Sequence, residues 1–153
     1  MVELFKILIT PLIAIIALFI AYMQYRNARY KVKMDLFDRR YEVYLLLAEI
    51  IISSIQGLDH DDPQGFKLAE KIRFCGRKSK FLFNKKITED IQCILDKAER
   101  LGEIYRKLKS KDDLESQSER AKLSSEKRTI IQFFDNRLKN LEDMFKQQMK
   151  LNR

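Results

Sequence analysis

The chain has 153 residues, 30 Lys and Arg against 22 Asp and Glu for a net charge of +8, one histidine, two cysteines, four glycines and two prolines. This inventory argues against a Ser-His-Asp or Cys-His enzyme, because His60 is the one available imidazole base and no catalytic signature surrounds it. Gly57, Gly65, Gly76 and Gly102 are too scattered to build a phosphate-binding loop. Scarce Gly and Pro without internal repeats is the composition of a long-helix protein, with room for one anchor and one compact domain.

Nineteen uncharged residues, Ile7 to Tyr25, lie between Lys6 and Arg26. As a helix they rise about 28 Å at roughly 1.5 Å per residue, close to the hydrocarbon thickness of a bilayer. The segment is longer than the apolar core of a cleavable signal peptide. Glu3 sits beside Lys6 at its start, and Phe19-Ile20-Ala21-Tyr22 places a bulky residue where cleavage needs a small one. A retained membrane anchor is expected. Arg26, Arg29, Lys31 and Lys33 follow the span and only Lys6 precedes it, which places the N-terminus outside and the remainder in the cytoplasm, at the inner membrane. Tyr22 and Tyr25 fall where interfacial aromatic rings belong, and Pro11 is tolerable near the start of the helix. The expected organisation is an anchor with its basic flank over residues 1–29 and a cytoplasmic helical domain over residues 30–153.

No stretch of the second part alternates with the period of two that a half-buried strand shows, so the domain is expected to be all-α. Phe37, Tyr41, Tyr44, Ala48, Ile51 and Ile55 step by three and four, with Leu36, Val43, Leu47 and Ile50 widening the stripe. Gly57 ends that helix, and the absence of Gly and Pro from Leu12 to Gln56 permits a continuous anchor and first domain helix without establishing it. An acidic loop follows. A second helix is expected from Pro63 or Phe66 and ends near Phe81-Leu82-Phe83. A third is expected with Thr88 as N-cap and Glu89 and Asp90 in its first turn. Its stripe is Ile87, Ile91, Ile94, Leu95, Ala98, Leu101, Tyr105 and Leu108. Polar residues Lys109 to Ser118 read as a loop before a last helix whose apolar face is Ile130, Ile131, Phe134, Leu138, Leu141 and Phe145. The sum is a bundle of about four helices after the anchor. Cys75 and Cys93 are expected to be buried small hydrophobes rather than a disulfide or metal pair.

Gln24-Tyr25-Arg26 and then Lys33-Met34-Asp35-Leu36-Phe37-Asp38-Arg39-Arg40-Tyr41-Glu42-Val43-Tyr44 resemble a motif of small, mostly uncharacterised bacterial single-pass membrane proteins. Phe81-Leu82-Phe83-Asn84-Lys85-Lys86-Ile87 is similar to that group's Phe-Leu-Phe turn into a helix, with Asn84 where Gly is commoner. Phe145 to Leu151 resembles its ending, with Gln148 where Tyr is commoner. The resemblance implies a single-pass anchor carrying a cytoplasmic helical domain, and no established activity. Read from the residues alone, Leu36, Phe37 and Tyr41 of the motif face inward, while Asp35, Asp38, Arg39, Arg40 and Glu42 mix charges on the solvated side. Asp35 and Arg39, four apart, attract; Asp38 and Glu42 repel. This cluster is either a bundle-internal ion network or a partner contact through Asp35, Asp38, Arg39 and Arg40.

From Phe66 to Lys86 there are eight Lys or Arg and one acid, Glu70, so most of the net charge sits in this segment. Arg73, Arg77, Lys78, Lys80, Lys85 and Lys86 are interleaved with Phe74, Phe81 and Phe83. Three roles compete. The segment is a solvated basic face over core Phe residues, a contact for anionic lipid headgroups, or a grip on nucleic-acid phosphates without any recognised nucleic-acid motif. An acidic protein partner is a further option. The Asp59-His60-Asp61-Asp62 run lacks the second cluster that metal sites use, and neither metal nor cofactor is expected. The reading these features favour is a non-catalytic membrane-anchored module that binds a cytoplasmic partner or itself. The alternative is an oligomerising membrane effector of the antiviral-defence type, whose basic domain senses a ligand or nucleic acid. Ala14, Ala17 and Ala21 would allow its anchors to pack closely.

Overall fold

The computed structural model describes residues 2–57, 63–109 and 117–146. They form four α-helices: α1 (Val2–Ile55), α2 (Pro63–Leu82), α3 (Lys85–Lys109) and α4 (Gln117–Lys146). The expected all-α class is observed, and α1 runs as one helix where the sequence left its continuity open. The chain divides into two units, Met1–Asp38 and Arg39–Arg153.

In the first unit α1 runs through Pro11 without interruption. Ile13, Ile15, Ile16, Leu18, Phe19 and Ile20 are each 50% to 72% exposed. These positions go all the way round the helix, so no single buried face accounts for them, and a helix apolar on every side belongs in a core or in lipid. None of its apolar window is buried. Among the described residues α1 is the one helix long and apolar enough to cross a membrane. Outward, the Arg29 guanidinium sits over the Tyr25 ring at 5.5 Å.

The second unit is the bundle. The last turns of α1 contribute Val43, Leu47, Ile50 and Ile51, all fully buried. This is the expected stripe rotated toward its flank, because Tyr41 is 44% and Leu36 37% exposed and neither is in the core. The inward positions of α2 are Leu68, Ile72, Cys75 and Ser79, recurring at four and three residues, as one helix face requires. Helix α3 packs against both α2 and α4. It buries Ile87, Ile91, Ile94, Leu95, Ala98 and Leu101 of its expected stripe and, outside that stripe, Ile104, while Tyr105 and Leu108 are half-buried. From α4 come Ile130, Phe134, Leu141 and Phe145. Leu138 and Ile131, expected on the same face, lie at its edges. At Gly76 a Cβ would stand 3.3 Å from Leu95 Cδ1, so the missing side chain lets α2 and α3 approach.

Two ends carry the topology. Gly57 closes α1 with φ of 74°, a conformation that costs any other L-residue about 1–2 kcal/mol. The Tyr105 hydroxyl donates to the Ile55 carbonyl at 3.1 Å, satisfying an acceptor that the helix end leaves free. The α2–α3 connection is only Phe83 and Asn84. Asn84 Oδ1 accepts from Ile87 N at 3.0 Å, so Asn84 is the N-cap of α3 and the helix starts earlier than Thr88. Thr88 sits inside the first turn, its hydroxyl donating to the Asn84 carbonyl at 3.0 Å.

Candidate functional site

The α2–α3 turn gathers the two segments that the sequence singles out. Arg40 Nε donates to the Leu82 carbonyl at 3.0 Å, and the guanidinium lies over the Phe83 ring at 5.8 Å. Phe83, nine-tenths buried, meets Phe145 edge-on at 5.1 Å, and Phe145 meets Tyr44 edge-on at 5.6 Å. A cation, an open carbonyl at a helix C-terminus and three rings thus tie α1, the turn and α4 together. Arg40 is consequently a structural clamp. Its neighbour Arg39 is exposed and lines a groove of about 480 Å³ with Glu42, Lys78, Phe81 and Leu82. Asp35 and Asp38 are exposed and belong to the first unit. Glu42, expected to repel Asp38, accepts instead from Lys78 Nζ at 2.7 Å.

The six basic candidates separate into three groups. Lys78 faces α1, pairs with Glu42 and lies over the Phe74 ring at 4.5 Å. Lys85 and Lys86 occupy the exposed first turn of α3, with Lys85 3.9 Å from Glu89. Arg73, Arg77 and Lys80 recur at four and three residues on the exposed face of α2, opposite its buried positions. None of these three pairs with a carboxylate among the described residues. Arg73 Nε reaches only the Ala69 carbonyl of its own helix at 3.4 Å. Phe81 stands on the same face at 90% exposure and Phe74 at its edge at 44%, so neither is a core residue. Glu70 is the one acid of the stripe.

Several acids of α3 and α4 are paired instead with cations of those two helices. Arg100 donates to both carboxylate oxygens of Glu126, at 2.7 and 3.0 Å, and to Glu103 at 3.0 Å. Arg137 bonds Asp90 at 3.2 Å, a second tie between α3 and α4. Lys97 and Arg137 both lie over the Phe133 ring, and Lys127 lies over Tyr105. The bond from Arg100 holds the Glu126 carboxyl below its ordinary range, as the bond from Lys78 does for Glu42. A lowered carboxyl binds fewer protons in the folded chain than in the unfolded one, so these pairs add stability above the unfolded value and lose it as pH falls through the folded value. The melting temperature of the bundle, followed by circular dichroism, should fall below about pH 5. Glu126→Gln should flatten that fall, and an unchanged acid limb would show that the Arg100 bridge contributes nothing.

The two cysteines differ. Cys75 is buried among α2 and α3 side chains, which pushes its thiol up to about 12 and makes it the expected small hydrophobe. Cys93 is exposed and is not a core residue, because it opens onto a shallow groove lined by Asp96 and Glu89 of α3 and by Glu126 and Thr129 of α4. Among the described residues no three His, Cys, Asp or Glu side chains are grouped to hold a metal ion. The Asp59-His60-Asp61-Asp62 run lies outside the described residues, as do most of the Lys109 to Ser118 loop and the Phe145 to Leu151 ending beyond Lys146.

The exposure of Phe81 was readable in the sequence. Residues two apart in a helix fall on nearly opposite sides, so Phe81 and Phe83 cannot both fill the core at the end of α2. No protein-family model, no curated protein and no solved structure matches the chain.

Proposed function

We propose that this chain is a non-catalytic, membrane-anchored interaction module. The apolar part of α1 spans the inner membrane with its N-terminus outside, and the bundle binds a cytoplasmic partner or a second copy of itself. The observation that carries this reading is the outer face of α2, where unpaired cations and two exposed phenyl rings form a surface suited to contact. The basic flank from Arg26 to Lys33 supports the cytoplasmic side. The resemblance of the Lys33 to Tyr44 and Phe81 to Ile87 segments to bacterial single-pass proteins agrees with it. Arg40, Leu82 and Phe83 give those segments a shared structural task, the joint between α1 and the turn.

One observation favours self-association, and with it the oligomerising effector as a second reading. Tyr41, Leu45 and Ile52 are 44% to 49% exposed, on the side of α1 away from Val43, Leu47 and Ile50. With Ala48 they step by four, three and four, the spacing of a helix-pairing seam.

The test is affinity purification of the tagged full-length protein from detergent-solubilised cells, with mass spectrometry of retained protein and parallel assays for lipid and RNA. A stoichiometric protein partner, or a defined oligomer that Leu45→Lys dissolves, is the expected result. A monodisperse monomer that retains neither protein nor lipid contradicts the module.

A further inference from the structure

We propose that the outer face of α2 docks onto anionic lipid headgroups, with Arg73, Arg77 and Lys80 engaging the phosphates and Phe81 entering the interfacial layer; this rests on the reading of the chain as membrane-anchored. Phe81 is the most exposed large apolar side chain among the described residues, more so than those of the apolar span itself. A phenyl ring has no polar tip to satisfy in water. Its placement is unfavourable there and favourable at the boundary between headgroups and acyl chains.

Charge selects the kind of boundary. Arg77 and Lys80 lie four and one residues before Phe81, and Arg73 one turn further back, so the ring is bordered on its own helix by cations. Across the groove from it stand Arg39 and Glu42, and the Glu42 charge is offset by its pair with Lys78. Glu70, the single acid, stands at the far end of the stripe. The three cations span eight residues, about 10 Å of helix, a length suited to one or two headgroups rather than to an extended nucleic-acid backbone. Basic residues with an apolar ring on one face are the combination that binds anionic bilayers peripherally.

The chain contains no tryptophan, so full-length Phe81→Trp carries one indole at the docking position. The protein is reconstituted into vesicles with brominated acyl chains, made of phosphatidylcholine alone or with roughly 30% phosphatidylglycerol, the anionic surface that attracts basic clusters. The indole emission of Phe81→Trp should shift to the blue and be quenched in the anionic vesicles only. The quenching should be lost in about 0.5 M salt, where screening is short-ranged. It should also be lost when Arg73, Arg77 and Lys80 are changed to Glu in the same chain. A Gln132→Trp chain, with its indole on the exposed side of α4, should stay unquenched in both.

Red, unquenched emission from the indole at position 81 in both lipids overturns the docking and leaves the anchor reading standing. Equal quenching at positions 81 and 132 also overturns it. A chain that fails to enter vesicles at all overturns both readings. If a single-stranded oligonucleotide, and not the anionic lipid, shifts the emission, the face is a nucleic-acid site and the lipid proposal is wrong.

Discussion

Phe145→Ala should cost the bundle about 3–5 kcal/mol, the range for emptying a buried phenyl site. The side chain is fully buried and holds Tyr44 of α1 and Phe83 of the α2–α3 turn in edge-on contacts. Truncation therefore removes transfer energy, opens a cavity and breaks two aromatic pairs at once. Domains of this size have about 5–15 kcal/mol in total, so the loss is a large fraction of it. Urea unfolding of the full-length protein in micelles, followed by circular dichroism, should give a much lower midpoint with an unchanged slope. Phe145→Leu should recover most of the loss. A shift below about 1 kcal/mol would mean that the site collapses without cost and that the joint does not depend on this ring.

The second large effect should appear in binding and leave stability untouched. Changing Arg73, Arg77 and Lys80 together to Glu alters three exposed side chains with no carboxylate partners among the described residues, so each change should stay within about 0.5 kcal/mol of neutral for folding. On an anionic surface each cation contributes about 1 kcal/mol, so losing three weakens docking by about 100-fold, and reversal does more than loss. Anionic lipid retained through purification in mild detergent should fall to background. The same reversal at the exposed Arg120, Arg128 and Lys139 of α4 should retain it. Equal loss in both proteins would assign the effect to net charge rather than to this face.

Much of the fold is legible in the sequence because it is written in local patterns. The period of α3 marks its buried side chains, Gly57 and Pro63 mark an end and a start, and the lack of Gly and Pro from Leu12 to Gln56 permits the one helix that is observed. Local patterns mislead where a distant residue decides. Thr88, followed by two acids, is the better N-cap by local rules, and Lys85 and Lys86 oppose the helix dipole. Asn84 nevertheless caps the helix, within a two-residue turn whose Phe83 is fixed by Phe145. Helical spacing sets Glu42 against Asp38 of its own helix and assigns Arg40 no neighbour. Their partners are Leu82 and Lys78, which only packing brings near. The basic candidates follow the same rule. Composition locates the segment, but helix phase and Glu42 separate Lys78 from Arg73, Arg77 and Lys80.

That the outer face of α2 is the contact surface is most directly tested by site-specific photo-crosslinking in living cells. A photoreactive amino acid at position 70, at the end of the stripe, is compared with one at position 132 on α4, both in otherwise unchanged full-length protein. Adducts in the membrane fraction from position 70 and none from 132 are the predicted result. No adduct from either, or equal yields from both, would contradict the account.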